Sequence, residues 1–274
     1  MAGTMIVTGA SGYVGGWLTR RAAADGWQVL GTVHRGRSDT DTVRLDVADR
    51  AAVTALLARV RPDVVVHTAA DMASGRMWPV IALGSGYVAA AASAVGARLV
   101  HLSSDAVLAG DAAPYDETAA PAPRYPYGVA KAAAEAAVTA AAPGAAIVRL
   151  PVVLGDGASK HERFVHDVFH GRVDGTLFVD RYRTPVHPAD VAGAVLELAT
   201  MDHTGLLNVA GPDEISWYEM GRLVAVRDGL DPDRLPTGYT ASHPAPADTR
   251  LVSDRARALL TTRLRGVREF LQRG

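Results

Sequence analysis

No cysteine occurs among the 274 residues. That excludes a disulfide framework, a thiol nucleophile and Cys-ligated zinc. Lysine is almost as scarce. Lys131 and Lys160 are the only two among 28 basic residues, and the rest are arginine. With the heavy use of alanine, this is the mark of a GC-rich genome, so a single arginine says little and each surviving lysine says more. A net charge of −1 gives no electrostatic case for a nucleic acid or an anionic membrane as partner. By inspection, no apolar run reaches the roughly 18 residues that cross a bilayer. The first residues carry no basic segment and no cleavage signal. A cytoplasmic protein is the expectation.

The chain is 49% apolar and 21% charged, the balance of an ordinary globular protein. Apolar strands are expected at Thr4–Thr8, Gln28–Val33, Val43–Leu45, Val64–His67, Arg98–Ser103 and Ala146–Leu150. Helices are expected between them at Val14–Asp25, Asp49–Arg59 (with Asp49 as N-cap), Val80–Val95 and Tyr127–Ala141. The proline-rich stretch Asp111–Pro126 reads as loop. Six alternations of strand and helix predict a Rossmann-type doubly wound parallel α/β sheet with right-handed crossovers over residues 1–150. Beyond Pro151 the rhythm loosens. Residues 151–274 read as a smaller substrate-binding lobe over the carboxyl edge of the sheet, with sheet-completing elements interleaved. Within it Leu177–Val179, Pro188–Ala199, Leu206–Val209 and Trp217–Val226 are expected as regular elements, followed by Arg-rich helical segments.

The turn Thr8-Gly9-Ala10-Ser11-Gly12-Tyr13-Val14-Gly15 leaves the first strand and opens the first helix. Glycine permits the tight turn, lets the backbone approach a pyrophosphate, and allows close helix–strand packing. The helix N-terminus then faces the phosphates. The second strand ends in His34-Arg35-Gly36-Arg37, with no acid to accept from the ribose hydroxyls of NAD. Cations there attract a 2′-phosphate, so NADP(H) is favoured over NAD(H).

Tyr127 and Lys131 stand four residues apart and share one face of a helix. With eight tyrosines and two lysines in the chain, such a pair is improbable by chance. A free phenol titrates near pH 10, too high for a base at neutral pH. A neighbouring ammonium favours the phenolate. Ser104 follows the fifth strand and offers a hydroxyl to a substrate oxygen, with Ser103 as its competitor. Tyr127 acting as acid/base, with Ser104 and Lys131, describes hydride transfer beside a nicotinamide.

With these residues in hand, the chain resembles the extended short-chain dehydrogenase/reductase family, in its dTDP-4-dehydrorhamnose reductase-like, sugar-nucleotide-binding branch. The spacing of the glycines in Thr8–Gly15 and the segment YGVAK (Tyr127–Lys131) are those of the superfamily. The branch is carried by RPDVVVHTAA (Arg61–Ala70), SSDAVLAG (Ser103–Gly110), PYDE (Pro114–Glu117), RTPVHPADV (Arg183–Val191), NVAG (Asn208–Gly211) and PADTRL (Pro246–Leu251). The resemblance implies Ser104, Tyr127 and Lys131 as catalytic residues. It implies Gly9, Ser11, Gly12, Tyr13, Val14, Gly15, His34, Arg35, Asp46, Val47, Ala69, Ala70, Tyr127, Lys131, Pro151 and Val153 as cofactor-binding, with Asp46 facing the adenine. Asp71, Asp105 and Arg183 are its substrate-binding residues, and it implies no metal.

Three departures qualify the resemblance. Ile81 stands where the family has an asparagine that supports a proton relay. Residues 71–80 are shorter than in the typical reductases and lack an acidic segment. Asp105-Ala106 replaces the Asp-Glu pair of the 4,6-dehydratases, which argues against elimination. The expected activity is reduction of a keto group on a nucleotide-linked sugar or a specialised metabolite. The alternatives are an epimerase that retains its cofactor and a non-catalytic NADP-binding regulatory subunit. A small-molecule substrate is expected, and a homodimer is compatible with the resemblance.

Overall fold

The apolar segments of the first half become β1 (Thr4–Thr8), β2 (Gln28–Val33), β3 (Thr42–Arg44), β4 (Val64–His67), β5 (Arg98–Ser104) and β6 (Ala146–Leu150), and a seventh strand, β7 (Gly205–Asn208), joins them. The sheet order is β3-β2-β1-β4-β5-β6-β7. The pairs of β1 with β2 and β4, β2 with β3, and β4 with β5 are parallel, as right-handed crossovers require. The order reverses between β1 and β4, and that switch point is where a doubly wound sheet opens a crevice at its strand ends. These coordinates come from a computed structural model that describes residues 3–35, 41–72, 75–240 and 246–272. Gly36 and Arg37 lie outside the described residues.

Local chemistry explains the helices. Asp49 caps α2 (Arg50–Val60), its carboxylate accepting from the Ala52 N–H, as expected from its residue type. The helix α3 (Gly84–Val95) is preceded by a π turn over Trp78–Leu83. Together Trp78–Val95 make an 18-residue apolar helix of mean hydropathy 1.4, which corrects the expectation that no such run exists. Half of it is buried inside the protein, and Val80, Val88, Ala89, Ala91 and Ala92 enter the same core as Leu56, Leu57 and Val65. It is therefore built as a core helix. Next along the chain, α4 (Pro126–Ala141) starts at the last proline of the loop, where a missing N–H costs nothing.

Two compact units divide the chain. The first holds residues 1–104, 126–149 and 192–207, and with them the sheet. The second holds 105–125, 150–191 and 208–274. The second contains a helix that the loose sequence rhythm hid, α5 (Lys160–Phe169). Its start was nevertheless written in the sequence. Ser159 and Glu162 form a reciprocal capping box, the Ser-x-x-Glu signature of a helix N-terminus. Ser216 and Glu219 repeat the device at α7 (Trp217–Arg227). The helix between them, α6, spans Pro188–Thr200. The unit's core packs Val165, Val168, Leu177, Met220, Val224 and Val267.

The motifs behind the resemblance meet one another inside this second unit. The Tyr115 hydroxyl accepts from the N–H groups of Gly110, Asp111 and Ala112, each at 2.9 Å. Asn208 donates from Nδ2 to the carbonyls of Tyr115 and Val252, and its N–H donates to Glu117. Segments nearly a hundred residues apart are thereby bonded pairwise.

Candidate active site

The site is built outward from the glycine turn. Gly9 has φ +70°, and a Cβ there would stand 2.8 Å from the Ala69 Cα. A Cβ on Gly15 would stand 2.2 Å from the Gly9 carbonyl oxygen. Neither position tolerates a side chain, because β4 and the helix α1 (Tyr13–Ala24) press against the turn. Gly12 begins α1 from an extended conformation with no side-chain cap, and its first turn holds no acid. An uncapped helix start with its positive end exposed suits an anion.

A cleft of about 260 Å³ opens beside this turn. Of the expected residues, Gly9, Ser11, Gly12, His34, Arg35, Asp46, Val47, Ala69, Ala70 and Asp71 line it. Thr32, Leu45, Thr68 and Val80 also line it and were not foreseen. Tyr13, Val14 and Gly15 form the first turn of α1, while Pro151 and Val153 belong to the second unit. The glycine cradle, the uncapped helix start and the apolar Leu45, Val47 and Val80 fit the adenosine and phosphates of a dinucleotide. At the cleft's rim Asp46 receives two hydrogen bonds from Nη2 of Arg76, at 2.7 and 2.6 Å. Burial pushes the Asp46 carboxyl up. The Ala48 N–H, Arg76 and His34 outweigh it and hold the group below its ordinary range.

The catalytic candidates stand where β5 ends and α4 begins. Ser104 closes β5 and is half-buried, as is Tyr127 in the first turn of α4. One turn on, Lys131 is buried and donates from Nζ to the Leu102 carbonyl at 2.8 Å. Burial drives the Lys131 ammonium down to about 8, with Glu135 opposing the shift. Ser103, the competitor for the hydroxyl role, is buried and donates to Glu135 at 2.6 Å. Glu135 in turn is clamped by Arg149. The strand alternation therefore separates the two serines by task.

Sequence reasoning missed a polar line beneath this site. His67 on β4 pairs its Nδ1 with Thr8 Oγ1 at 2.6 Å and its Nε2 with Ser85 Oγ at 3.0 Å. Ser85 donates to the Ile81 carbonyl within the π turn. His101, opposite His67 in the register, stacks on it with centroids 5.3 Å apart. Both rings are fully buried. Burial pushes His67 down to about 3, helped by Lys131, and pushes His101 well down, helped by His67 and Lys131. Burial and the Lys131 charge therefore both favour the neutral form of the two rings. Ile81, at the position of the family's asparagine, packs with Ala130, Ala134, Met77 and Tyr127. Its side chain supports the Tyr127 ring and offers no polar atom.

Within the second unit, Arg183 is buried and ion-paired with Asp105 at 3.1 Å. It also donates to the carbonyls of Tyr182, Pro246 and Ala247. Asp105 accepts from the Thr249 hydroxyl at 2.6 Å. Both side chains are committed inside the unit, to the PADTRL segment. A separate cavity of about 310 Å³ in the same unit is lined by Lys160, His161, Phe164, Thr176, Phe178, Arg181 and Trp217. The Arg181 guanidinium lies 5.5 Å from the ring centroids of Phe178 and of Trp217. Arg181 Nε and Trp217 Nε1 are buried without a hydrogen-bond partner. Lys160 alone of these residues stood out in the sequence, by the rarity of lysine, and it was given no role there. The capping box that starts α5 was the available signal. Among the described residues no cluster of His, Cys, Asp or Glu could hold a metal.

Residues 3–273 match the family described as RmlD substrate binding domain. A dTDP-4-dehydrorhamnose reductase of Mycobacterium tuberculosis is 34% identical over 259 residues, covering 89% of this chain and 81% of the relative. Methionine adenosyltransferase 2 subunit beta of Xenopus laevis is 30% identical over 236 residues, covering 80% and 70%. The crystal structure of a Bacillus anthracis dTDP-4-dehydrorhamnose reductase in complex with NADP superposes with a TM-score of 0.85 at 23% identity, covering 99% and 98%, and so shares the fold.

Proposed function

We propose, from the premise that this chain belongs to the RmlD substrate binding domain family, that it reduces the keto group of a sugar nucleotide with NADPH. It is an NAD(P)-dependent oxidoreductase of the extended short-chain dehydrogenase/reductase type. The observation that carries the reading is the placement of Ser104, half-buried Tyr127 and buried Lys131 at one end of β5 and α4. A bound nicotinamide supplies hydride to the carbonyl carbon. Tyr127 gives its phenolic proton to the carbonyl oxygen, and Ser104 donates a hydrogen bond to that oxygen. The Lys131 ammonium favours the phenolate that remains.

The substrate class follows from two features. The relatives include dTDP-4-dehydrorhamnose reductases, and the second unit offers an aromatic, cationic cavity. Phe178 and Trp217 suit a planar base, while Lys160 and Arg181 suit phosphate. NADPH is preferred because β2 ends in His34 and Arg35 with no acid. We place the protein in the cytosol, where reduced dinucleotide and sugar nucleotides are made.

A regulatory subunit without catalysis is the competing reading, since a methionine adenosyltransferase subunit is among the relatives. The intact Ser104, Tyr127 and Lys131 speak against it. The test is Tyr127→Phe assayed with NADPH and dTDP-4-dehydrorhamnose. Turnover is expected to fall by about 10²–10⁴-fold, the range of a lost general acid, with the Kd for NADPH little changed. Full turnover in the variant, or none in the wild type, overturns the reading.

A further inference from the structure

We propose that Arg76 is a specificity-determining residue for the dinucleotide, selecting the 2′-phosphorylated form by cancelling the acidic charge at the adenosine end of the cleft. The proposal rests on the dinucleotide reading above.

The observations lie in the first unit. Asp46 ends the β3 side of the cleft and Asp71 follows β4, so two carboxylates line a wall that must receive a phosphorylated ribose. Against them the lining holds Arg35 and His34, the latter with Nε2 3.6 Å from Asp46. Arg76 supplies the missing positive charge. A single Nη2 reaches both Asp46 oxygens, and Nε stands 3.8 Å from the Asp71 carboxylate. Counting Arg35, Arg76, Asp46 and Asp71, the formal charge is zero with Arg76 and minus one without it. NADP brings more negative charge to this place than NAD does. Removing Arg76 therefore penalises NADP selectively.

Two further features make Arg76 more than a solvated ion pair. Its carbonyl accepts from the Val80 N–H at 3.0 Å, which ties the residue to the start of the π turn. Its Nε is buried and has no hydrogen-bond partner. That nitrogen stands 3.8 Å from the Asp71 carboxylate, so one guanidinium serves both acids of the wall. Arg76 belongs to neither the glycine turn nor the β2 end, where dinucleotide choice is ordinarily read from sequence.

The experiment titrates NADPH and NADH against the wild type, Arg76→Gln, Arg76→Lys and the double variant Asp46→Asn/Arg76→Gln, with a thermal melt of each. Arg76→Gln should weaken NADPH by about tenfold or more, as expected for one lost neighbouring charge, and leave NADH within about twofold. Arg76→Lys should restore part of the NADPH affinity. So should the double variant, because it returns the local charge to zero. Equal weakening of both dinucleotides, or of neither, overturns the role given to Arg76. A wild type that binds neither dinucleotide overturns the dinucleotide reading itself.

Discussion

Arg149 closes on Glu135 with no exposed side-chain surface of its own, Nε meeting Oε1 at 2.9 Å and Nη2 meeting Oε2 at 2.8 Å. Ser103 completes the carboxylate's partners, so the pair ties β5 and β6 to the helix that carries Tyr127 and Lys131. A buried ion pair adds little against an apolar alternative, but breaking one partner strands the other. Glu135→Gln should cost about 3–5 kcal/mol, read from urea unfolding. Because Glu135 also supports the Lys131 ammonium, the same variant should move the alkaline limb of the activity profile to lower pH. A variant that loses stability with an unmoved profile would show that Glu135 does not reach Lys131 electrostatically.

Lys131 gives a pH dependence of its own. Burial lowers it from 10.5 to about 8, so the ammonium is lost as pH rises through about 8. Reductase activity should fall above that pH. Stability should move the other way. Between about 8 and 10.5 the unfolded chain binds the proton that the folded chain has released, so this group's contribution rises with pH over that window. Activity profiles and melts of cofactor-free protein, compared with Lys131→Met, check both signs. The rise in stability should vanish in the variant, and its persistence there would assign it to another group.

His67 and His101 stack but are bonded differently. His67 has partners on both ring nitrogens, whereas both nitrogens of His101 are buried without one. His67→Phe should therefore destabilise by about 1–3 kcal/mol, because the buried Thr8 and Ser85 hydroxyls each lose one partner, Thr8 keeping the Thr68 and Ala69 N–H groups and Ser85 the Ile81 carbonyl. His101→Phe keeps a ring in the stack and removes an uncompensated polar group, so its cost should stay within about 1 kcal/mol. Urea midpoints of the two variants decide it. Equal losses would mean that His101 finds a partner in solution, an internal water above all.

Much of this protein was legible in one dimension. The continuous apolar strands, the Gly9-to-Gly15 turn and the Tyr127–Lys131 spacing are short-range patterns set by burial, backbone sterics and helix geometry, and they appear where they were expected. Asp49 was readable as a cap for the same reason. The helix α5 was not expected, although the Ser159–Glu162 capping box encodes its start, because one capping pair within an irregular stretch does not by itself fix a helix.

Local chemistry written into the chain thus determined the sheet, the helices over it and the shared helix face of Tyr127 and Lys131. Tertiary structure alone decided the rest. It assigned Ser103 to Glu135 and left Ser104 at the strand end. It spent Arg183 on Asp105, brought Arg76 to Asp46 across thirty residues, and stacked His101 on His67. Each of those outcomes depends on which charged and polar groups share a buried space, and residue spacing along a chain does not encode that. Pairing of strands and packing of helices set it, because a desolvated charge must take whatever partner the fold places beside it.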